Sequence, residues 1–215
     1  MSNNFSRVLE KMNYNLKQMD LKGKKVLITG GGSGLGQDAV RQFTNLGAQV
    51  IICGRSPIKL QHVKDVFPAT QIIRCDVTDE KELKDLKEQI ETFGDIDILY
   101  NNAGAKYNSE TTGYGKIDIF NSAALEVETN YLAIIRLNEM FIPILEKSQE
   151  PVIINTSSAL AYLPAGRMPT YSASKAALHS YTIALRLQLQ REQSKIKVYE
   201  LMPPWWIRLS IQLPM

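Results

Sequence analysis

The sequence predicts an α/β fold: a doubly wound parallel sheet in three layers, αβα, forming a single domain. Three observations lead there. Six short runs rich in Val and Ile recur along the chain, nearly continuous in apolar character, as strands covered on both faces read. Segments with helical spacing of apolar residues separate them, and strand–helix alternation of this kind winds a parallel sheet. The 215 residues contain no internal repeat and no low-complexity linker, which fits one large domain.

In chain order, residues 1–20 come first. Phe5, Val8, Leu9, Met12, Leu16 and Met19 recur at spacings of three and four, so an amphipathic helical extension is expected ahead of a domain over 21–215. It would pack on the domain's own surface or on a twin subunit; its polar face has few basic residues for a membrane surface. Strands are expected at 24–29, 48–54, 70–76, 95–101, 151–157 and 196–202. Helix one is expected over 34–46, with Leu35, Ala39, Val40, Phe43 and Leu46 on one face. A charged helix over 79–92 would bury Leu83, Leu86 and Ile90. Long helical segments cover 122–148 and 170–193.

Composition narrows the function. Net charge is +3, with Lys and Arg spread among Asp and Glu, so nucleic acid is not indicated. Cys53 and Cys75 each end an apolar run and read as buried strand thiols, fitting a reducing, cytoplasmic setting. No apolar run approaches the ~18 residues of a membrane span, and no signal peptide is visible. His62 and His179 lack partners at metal-ligand spacing. Both are expected at the surface, and no metal site is expected.

The stretch TGGGSGLG, residues 29–36, joins the first strand to the first helix. At the carboxyl end of a parallel strand, free backbone N–H groups and the helix dipole suit a phosphate. Glycine lets the backbone approach a pyrophosphate closely. A tight turn would also use glycine, but the strand before and the helix after favour a dinucleotide site of the Rossmann type. The spacing is T-G-x-x-x-G-x-G, with Thr29, Gly30, Gly34 and Gly36, rather than G-x-G-x-x-G.

Further motifs follow in order. CDVTD lies at 75–79, NNAG at 101–104, ETNYLA around Asn130, TSS at 156–158 and YSASK at 171–175, with Ser158 thirteen residues before Tyr171. With the glycine turn, this series over about 180 residues resembles the classical short-chain dehydrogenase/reductase family. The resemblance implies cofactor contacts from Gly30, Ser33, Gly34, Leu35, Gly36, Asp76, Val77, Asn102, Ala103, Gly104 and Pro203. Asp76 and the Val77 backbone would meet the adenine. Lys175 would hold the nicotinamide ribose, and Asn130 would anchor a water linking Lys175 to solvent. An asparagine satisfying helix backbone is the other reading of Asn130. The resemblance also implies a homodimer, or a higher homo-oligomer, formed through the two long helices.

The chemistry is readable from the residues. Reducing a carbonyl needs a hydride at carbon and a proton at oxygen. A tyrosine ordinarily titrates near 10. A lysine four residues later on a helix shares its face and would lower that value. Tyr171 is therefore the expected acid/base and Lys175 its tuner, although in isolation the two would be an ordinary helix-face pair. Ser158, at a strand end, would hydrogen-bond the substrate oxygen. Ser157 is its rival, and spacing favours Ser158. No G-x-S-x-G elbow surrounds either serine.

Cofactor choice rests on the end of the second strand. NAD sites place an acid there for the ribose 2′-hydroxyl; here Gly54 stands in that place and Arg55 follows. A guanidinium can pair with a 2′-phosphate. NADP is expected, with NAD possible if Arg55 only stacks on adenine. The tail reads LMPPWWIRLSIQLPM, where the family pattern runs P-G-x-V-x-T. P-P resembles a DltE-like subgroup of oxidoreductases. V-x-T, the usual helical lid and a last strand are not found in the 215 residues. Two functions stand: an NADP(H)-dependent oxidoreductase interconverting a carbonyl and an alcohol, and a nucleotide-binding regulatory or scaffold protein without turnover. The polar stretch SETTGYGKID, 109–118, is expected to line the substrate side.

Overall fold

A computed structural model describes residues 20–107 and 118–204. The N-terminal extension, residues 109–117 of the polar stretch and the tail from Trp205 lie outside the described residues.

The six strands are β1 (Lys25–Thr29), β2 (Gln49–Gly54), β3 (Gln71–Arg74), β4 (Ile98–Asn101), β5 (Val152–Thr156) and β6 (Lys197–Leu201). They form one parallel sheet in the order β3-β2-β1-β4-β5-β6. Each lies within the run expected for it. The helices are α1 (Gly34–Asn45), α2 (Pro57–Val66), α3 (Glu80–Thr92), α4 (Ile119–Val127), α5 (Ala133–Leu145) and α6 (Pro169–Arg191).

Side chains alternate across the sheet. Leu27, Ile51, Leu99 and Ile153 face one core with α3, α5 and α6. Val26, Ile28, Ile52 and Ile98 face the other with α1 and α2. The result is the three-layer Rossmann-type arrangement. Leu83, Leu86 and Ile90 on α3 are completely buried, each contributing about 1.5–3 kcal/mol. Asp79 caps α3 by accepting the N–H groups of Lys81 and Glu82 at 2.9 Å. At the other end of α6, Gln193 adopts a left-handed φ of 57°, and the Ser194 N–H returns to the Leu189 carbonyl at 2.9 Å. That bond closes the last turn.

Three local features depart from expectation. Helix α2 was not singled out, yet Ser56 caps it, Pro57 begins it and Leu60 and Val63 bury one side. The expected helix 122–148 begins earlier and is interrupted: Glu128–Leu132 is a π turn, in which the Ala133 N–H reaches the Glu128 carbonyl. Leu46, expected on the buried face of helix one, is exposed at its C-cap.

The strand order reverses between β1 and β4. The crevice at the carboxyl ends of these strands is where ligands of such sheets bind. Both chain turns that leave this point, Gly30–Ser33 and Asn102–Gly104, line it.

Candidate active site

The crevice is a cleft of about 520 Å³ running from Arg55 and Asp76 at one end to Ser158, Tyr171, Lys175 and Pro203 at the other. Its floor is the glycine turn. Gly30 has a φ of 67°, and a Cβ there would stand 2.9 Å from the Ala103 Cα. A Cβ on Gly36 would fall 2.3 Å from the Gly30 carbonyl oxygen. The first turn of α1 thus sits directly on the glycine turn, and only hydrogen fits between them. Ser33 precedes α1 with extended backbone, and its side chain makes no capping bond.

One hydroxyl joins the two sides of this floor. Thr29 Oγ1 accepts the N–H groups of both Asn102 and Ala103 at 3.0 Å. The Asn102 amide answers by donating to the Thr29 and Gly30 carbonyls at 3.0 and 3.3 Å. The glycine turn and NNAG are therefore one unit, held by the threonine that opens the motif.

At the β2 end, the Arg55 side chain is 64% exposed, with Nη1 3.9 Å from the Asp76 carboxylate. Lys59, Ser33 and Ser56 line the same wall. No acid stands at Gly54. Asp76 Oδ1 accepts the N–H and hydroxyl of Thr78 at 3.0 and 2.8 Å, so one carboxylate oxygen is already engaged. Leu35, Val77 and Gly104 line the cleft between the two ends.

At the other end, Tyr171 and Lys175 lie one turn apart on α6, with Lys175 Nζ 5.8 Å from the Tyr171 ring centroid. Lys175 is buried and donates to the Thr156 carbonyl at 2.8 Å. Burial brings its ammonium down to about 8. The sequence predicts a lowered tyrosine; the structure reverses the direction. Burial raises Tyr171 above its ordinary value, a hydrogen bond with Ser158 pulls it back in part, and the nearby Glu126 carboxylate raises it further. Desolvation of the phenolate is the leading cause, and the Lys175 Nζ is committed to a backbone carbonyl. Ser158 lies at the end of β5 and accepts the Leu160 N–H at 3.2 Å. Its rival Ser157 also lines the cleft, with a buried hydroxyl that has no hydrogen-bond partner.

Asn130 sits in the π turn, fully buried. Its Oδ1 accepts the Ala105 N–H at 2.8 Å, and its Nδ2 donates to the Ala105 carbonyl at 2.8 Å and to Ser174 Oγ at 3.0 Å. The side chain clamps the segment after NNAG to α6.

Two acids and a histidine escaped sequence reasoning. His179, expected at the surface, is only 16% exposed in its side chain. Its Nδ1 lies 2.9 Å from Glu200 on β6, and its Nε2 lies 2.7 Å from the Tyr162 hydroxyl. Glu126, on α4, is buried one turn before Asn130. An acid in the otherwise apolar stretch AALEV was the available signal for Glu126. Among the described residues no group of His, Cys, Asp or Glu could hold a metal ion.

The family model described as short chain dehydrogenase matches residues 24–206. The chain is a short-chain dehydrogenase/reductase. It is 35% identical to the uncharacterized oxidoreductase DltE of Bacillus subtilis (strain 168) over 187 residues, 86% of this chain and 73% of that protein. It is 33% identical to the L-fucose dehydrogenase of Bos taurus over 202 residues, 89% of this chain and 71% of that one. Among solved structures, a short-chain dehydrogenase/reductase from Burkholderia phymatum in complex with NAD superposes with a TM-score of 0.80 at 26% identity, covering 86% of this chain and 67% of that one. This short-chain dehydrogenase/reductase is thus an NAD(P)-dependent oxidoreductase, with likeness to the DltE-like members. No helix among the described residues is long and apolar enough to cross a membrane.

Proposed function

We propose that this chain interconverts a carbonyl and an alcohol with NADP(H), using Tyr171 as the acid/base. The convergence of Ser158, Tyr171 and Lys175 at one end of a glycine-floored cleft carries the reading. The fit of the cleft to a dinucleotide rests on Gly30, Gly32 and Ser33 lining it just before α1, where backbone N–H groups and the helix N-terminus suit a pyrophosphate. Gly30, Ser33, Gly34, Leu35 and Gly36 would hold the phosphates, Asp76 and Val77 the adenine, and Asn102, Ala103, Gly104, Tyr171, Lys175 and Pro203 the nicotinamide half. When bound, the cofactor supplies or accepts the hydride.

The chain's own residues handle the proton. In the reducing direction, Ser158 and Tyr171 both donate hydrogen bonds to the substrate oxygen, and the Tyr171 proton passes to it as negative charge develops. The buried Lys175 ammonium stabilises the tyrosinate left behind. A group brought down to about 8 is still cationic at neutral pH. Asn130 keeps α6 and the Ala105 segment in register around this set.

NADP over NAD is supported by Arg55, with Lys59 beside it and no carboxylate at Gly54. A homodimer through the long helices is supported by the apolar residues they leave exposed, Ile183 among those expected at such a face. Ile134, Leu137, Phe141, Leu145, Leu178, Leu185 and Leu189 are buried in the chain's own core. Phe120, 81% exposed, lies with Leu125 and Val127 on α4, and Ile183 and Leu187 on α6 are also exposed. Sedimentation is expected to give a dimer at micromolar concentration; a monomer there counts against it. A reducing, cytoplasmic setting fits the buried, unpaired Cys53 and Cys75.

The test pairs binding with turnover. NADPH and NADH are titrated by fluorescence, and a carbonyl and alcohol panel that includes L-fucose is screened. Tyr171→Phe is expected to remain folded, bind NADPH and lose turnover by at least ~10²-fold. A folded Tyr171→Phe protein turning over at the parent rate would overturn the mechanism.

A further inference from the structure

Glu126 is a fully buried carboxylate that the scheme above does not use. Its Oε1 accepts the Tyr107 N–H at 2.7 Å. Its Oε2 is buried without a hydrogen-bond partner. Burying an ionisable group half-satisfied is costly, and an apolar residue would fill the same space without that cost. The position is one turn before Asn130, so both side chains reach the same segment. Asn130 grips Ala105 by its N–H and carbonyl, and Glu126 grips Tyr107 two residues further on. Ala105 and Lys106 line the cleft, as Tyr171 does.

We propose that Glu126 is a positioning residue for the reaction: it fixes the Ala105–Tyr107 wall of the cleft through the Tyr107 amide and sets the field in which the Tyr171 hydroxyl works. The inference rests on Tyr171 as the acid/base. The titratable group on α6 that feels this carboxylate is Tyr171. Glu128, two residues on, is engaged with Arg136.

The sign follows from the charges. A carboxylate near Tyr171 opposes formation of tyrosinate and raises its titration. Glu126→Gln removes the charge but keeps an oxygen able to accept the Tyr107 N–H. Tyr171 should then titrate at lower pH. A reduction that needs protonated Tyr171 should fall off at lower pH, and an oxidation that needs tyrosinate should rise at lower pH. Glu126→Leu removes both charge and acceptor.

The experiment does not depend on turnover. Tyrosine ring carbons are labelled with carbon-13 and titrated by NMR in the full chain, with Tyr171 assigned by the spectrum of Tyr171→Phe. In Glu126→Gln the Tyr171 midpoint is expected to fall below the parent's. Amide hydrogen exchange over 105–107 is expected to be near the parent's in Glu126→Gln and about tenfold faster in Glu126→Leu. An unchanged or higher Tyr171 midpoint in Glu126→Gln overturns the proposal, as does equal protection of the Tyr107 amide in a folded Glu126→Leu. If Glu126→Leu does not fold, the Glu126→Gln titration decides alone. A parent chain that turns over no carbonyl would overturn the oxidoreductase mechanism, while these two readouts would still judge Glu126.

Discussion

The two ends of the cleft are built by different physics. The glycine floor is made of backbone against backbone: α1 rests on the Gly30 carbonyl, and the Ala103 backbone rests on Gly30. Its shape depends on atoms that are missing. The Tyr171 end is made of side chains hung from helices and tied by hydrogen bonds: Lys175 to the Thr156 carbonyl, Asn130 to Ala105 and Ser174, Glu126 to Tyr107. Its shape depends on atoms that are present. A close-packed backbone floor tolerates no added volume, whereas a hydrogen-bonded wall tolerates volume but not loss of a donor or acceptor.

Substitutions on each side sharpen that contrast. The largest effect is expected at Lys175, which the proposed scheme uses twice. Lys175→Met should lower turnover by at least ~10²-fold and weaken NADPH binding as well, read by steady-state kinetics beside fluorescence titration. The same variant has a signature in stability. In the folded chain Lys175 is brought from 10.5 to about 8. Between those values the unfolded chain binds the extra proton, so stability should rise with pH from about 8 towards 10. The raised Cys53 works in the opposite sense from about 9, and the raised Tyr100, Tyr171 and Tyr181 do so above 10. Denaturant melts across that window should show the rise in the parent and lose it in Lys175→Met.

Next comes the floor. Gly36→Ala adds one methyl group 2.3 Å from the Gly30 carbonyl oxygen. Something in the backbone must move, and overpacking costs about 1–3 kcal/mol. Cofactor affinity measured by calorimetry should fall by about tenfold or more at equal folded fraction. An unchanged affinity would mean that the floor yields, and the contrast between the two ends would break.

The smallest effect is expected at the solvent-facing end. Arg55→Ala should weaken NADPH by about tenfold, the order of one charge-assisted contact, and leave NADH nearly unchanged. Alanine is preferable to an acid, because Asp76 lies beside the site and a second carboxylate would add its own repulsion. Equal loss for both cofactors would show that Arg55 reads adenine rather than a 2′-phosphate.

What could be read from the sequence follows the same division. The floor is written in glycines at fixed spacing, and strands buried on both faces are written in Val and Ile runs, so the sheet and its crevice were legible. The helix-face pairing of Tyr171 and Lys175 was legible because four residues make one turn. The direction of the Tyr171 shift was not. It depends on how deeply the phenol is buried and on a carboxylate 45 positions away in sequence, and neither quantity is local. Glu126, His179 and the α4–α5 π turn were missed for related reasons. The first two find their partners through tertiary packing, and the π turn is one extra residue in an otherwise helical pattern. Of the apolar residues expected on the dimer face of the long helices, Ile183 is exposed while Ile134, Leu137, Phe141, Leu145, Leu178, Leu185 and Leu189 are core, because spacing marks an apolar stripe without saying what buries it.

Thr29 carries a consequence for synthesis. The hydroxyl that closes the nucleotide floor reaches amides 73 and 74 positions further along the chain. Until Ala103 has left the ribosome, the glycine turn has nothing to close against. Closing so long a loop carries an entropic cost that only the completed β1–β4 pairing offsets. A nicotinamide dinucleotide therefore finds no finished floor on a growing chain that has not yet reached Ala103. Any help the nucleotide gives to folding comes after the crevice exists, by drawing finished molecules out of the unfolded pool.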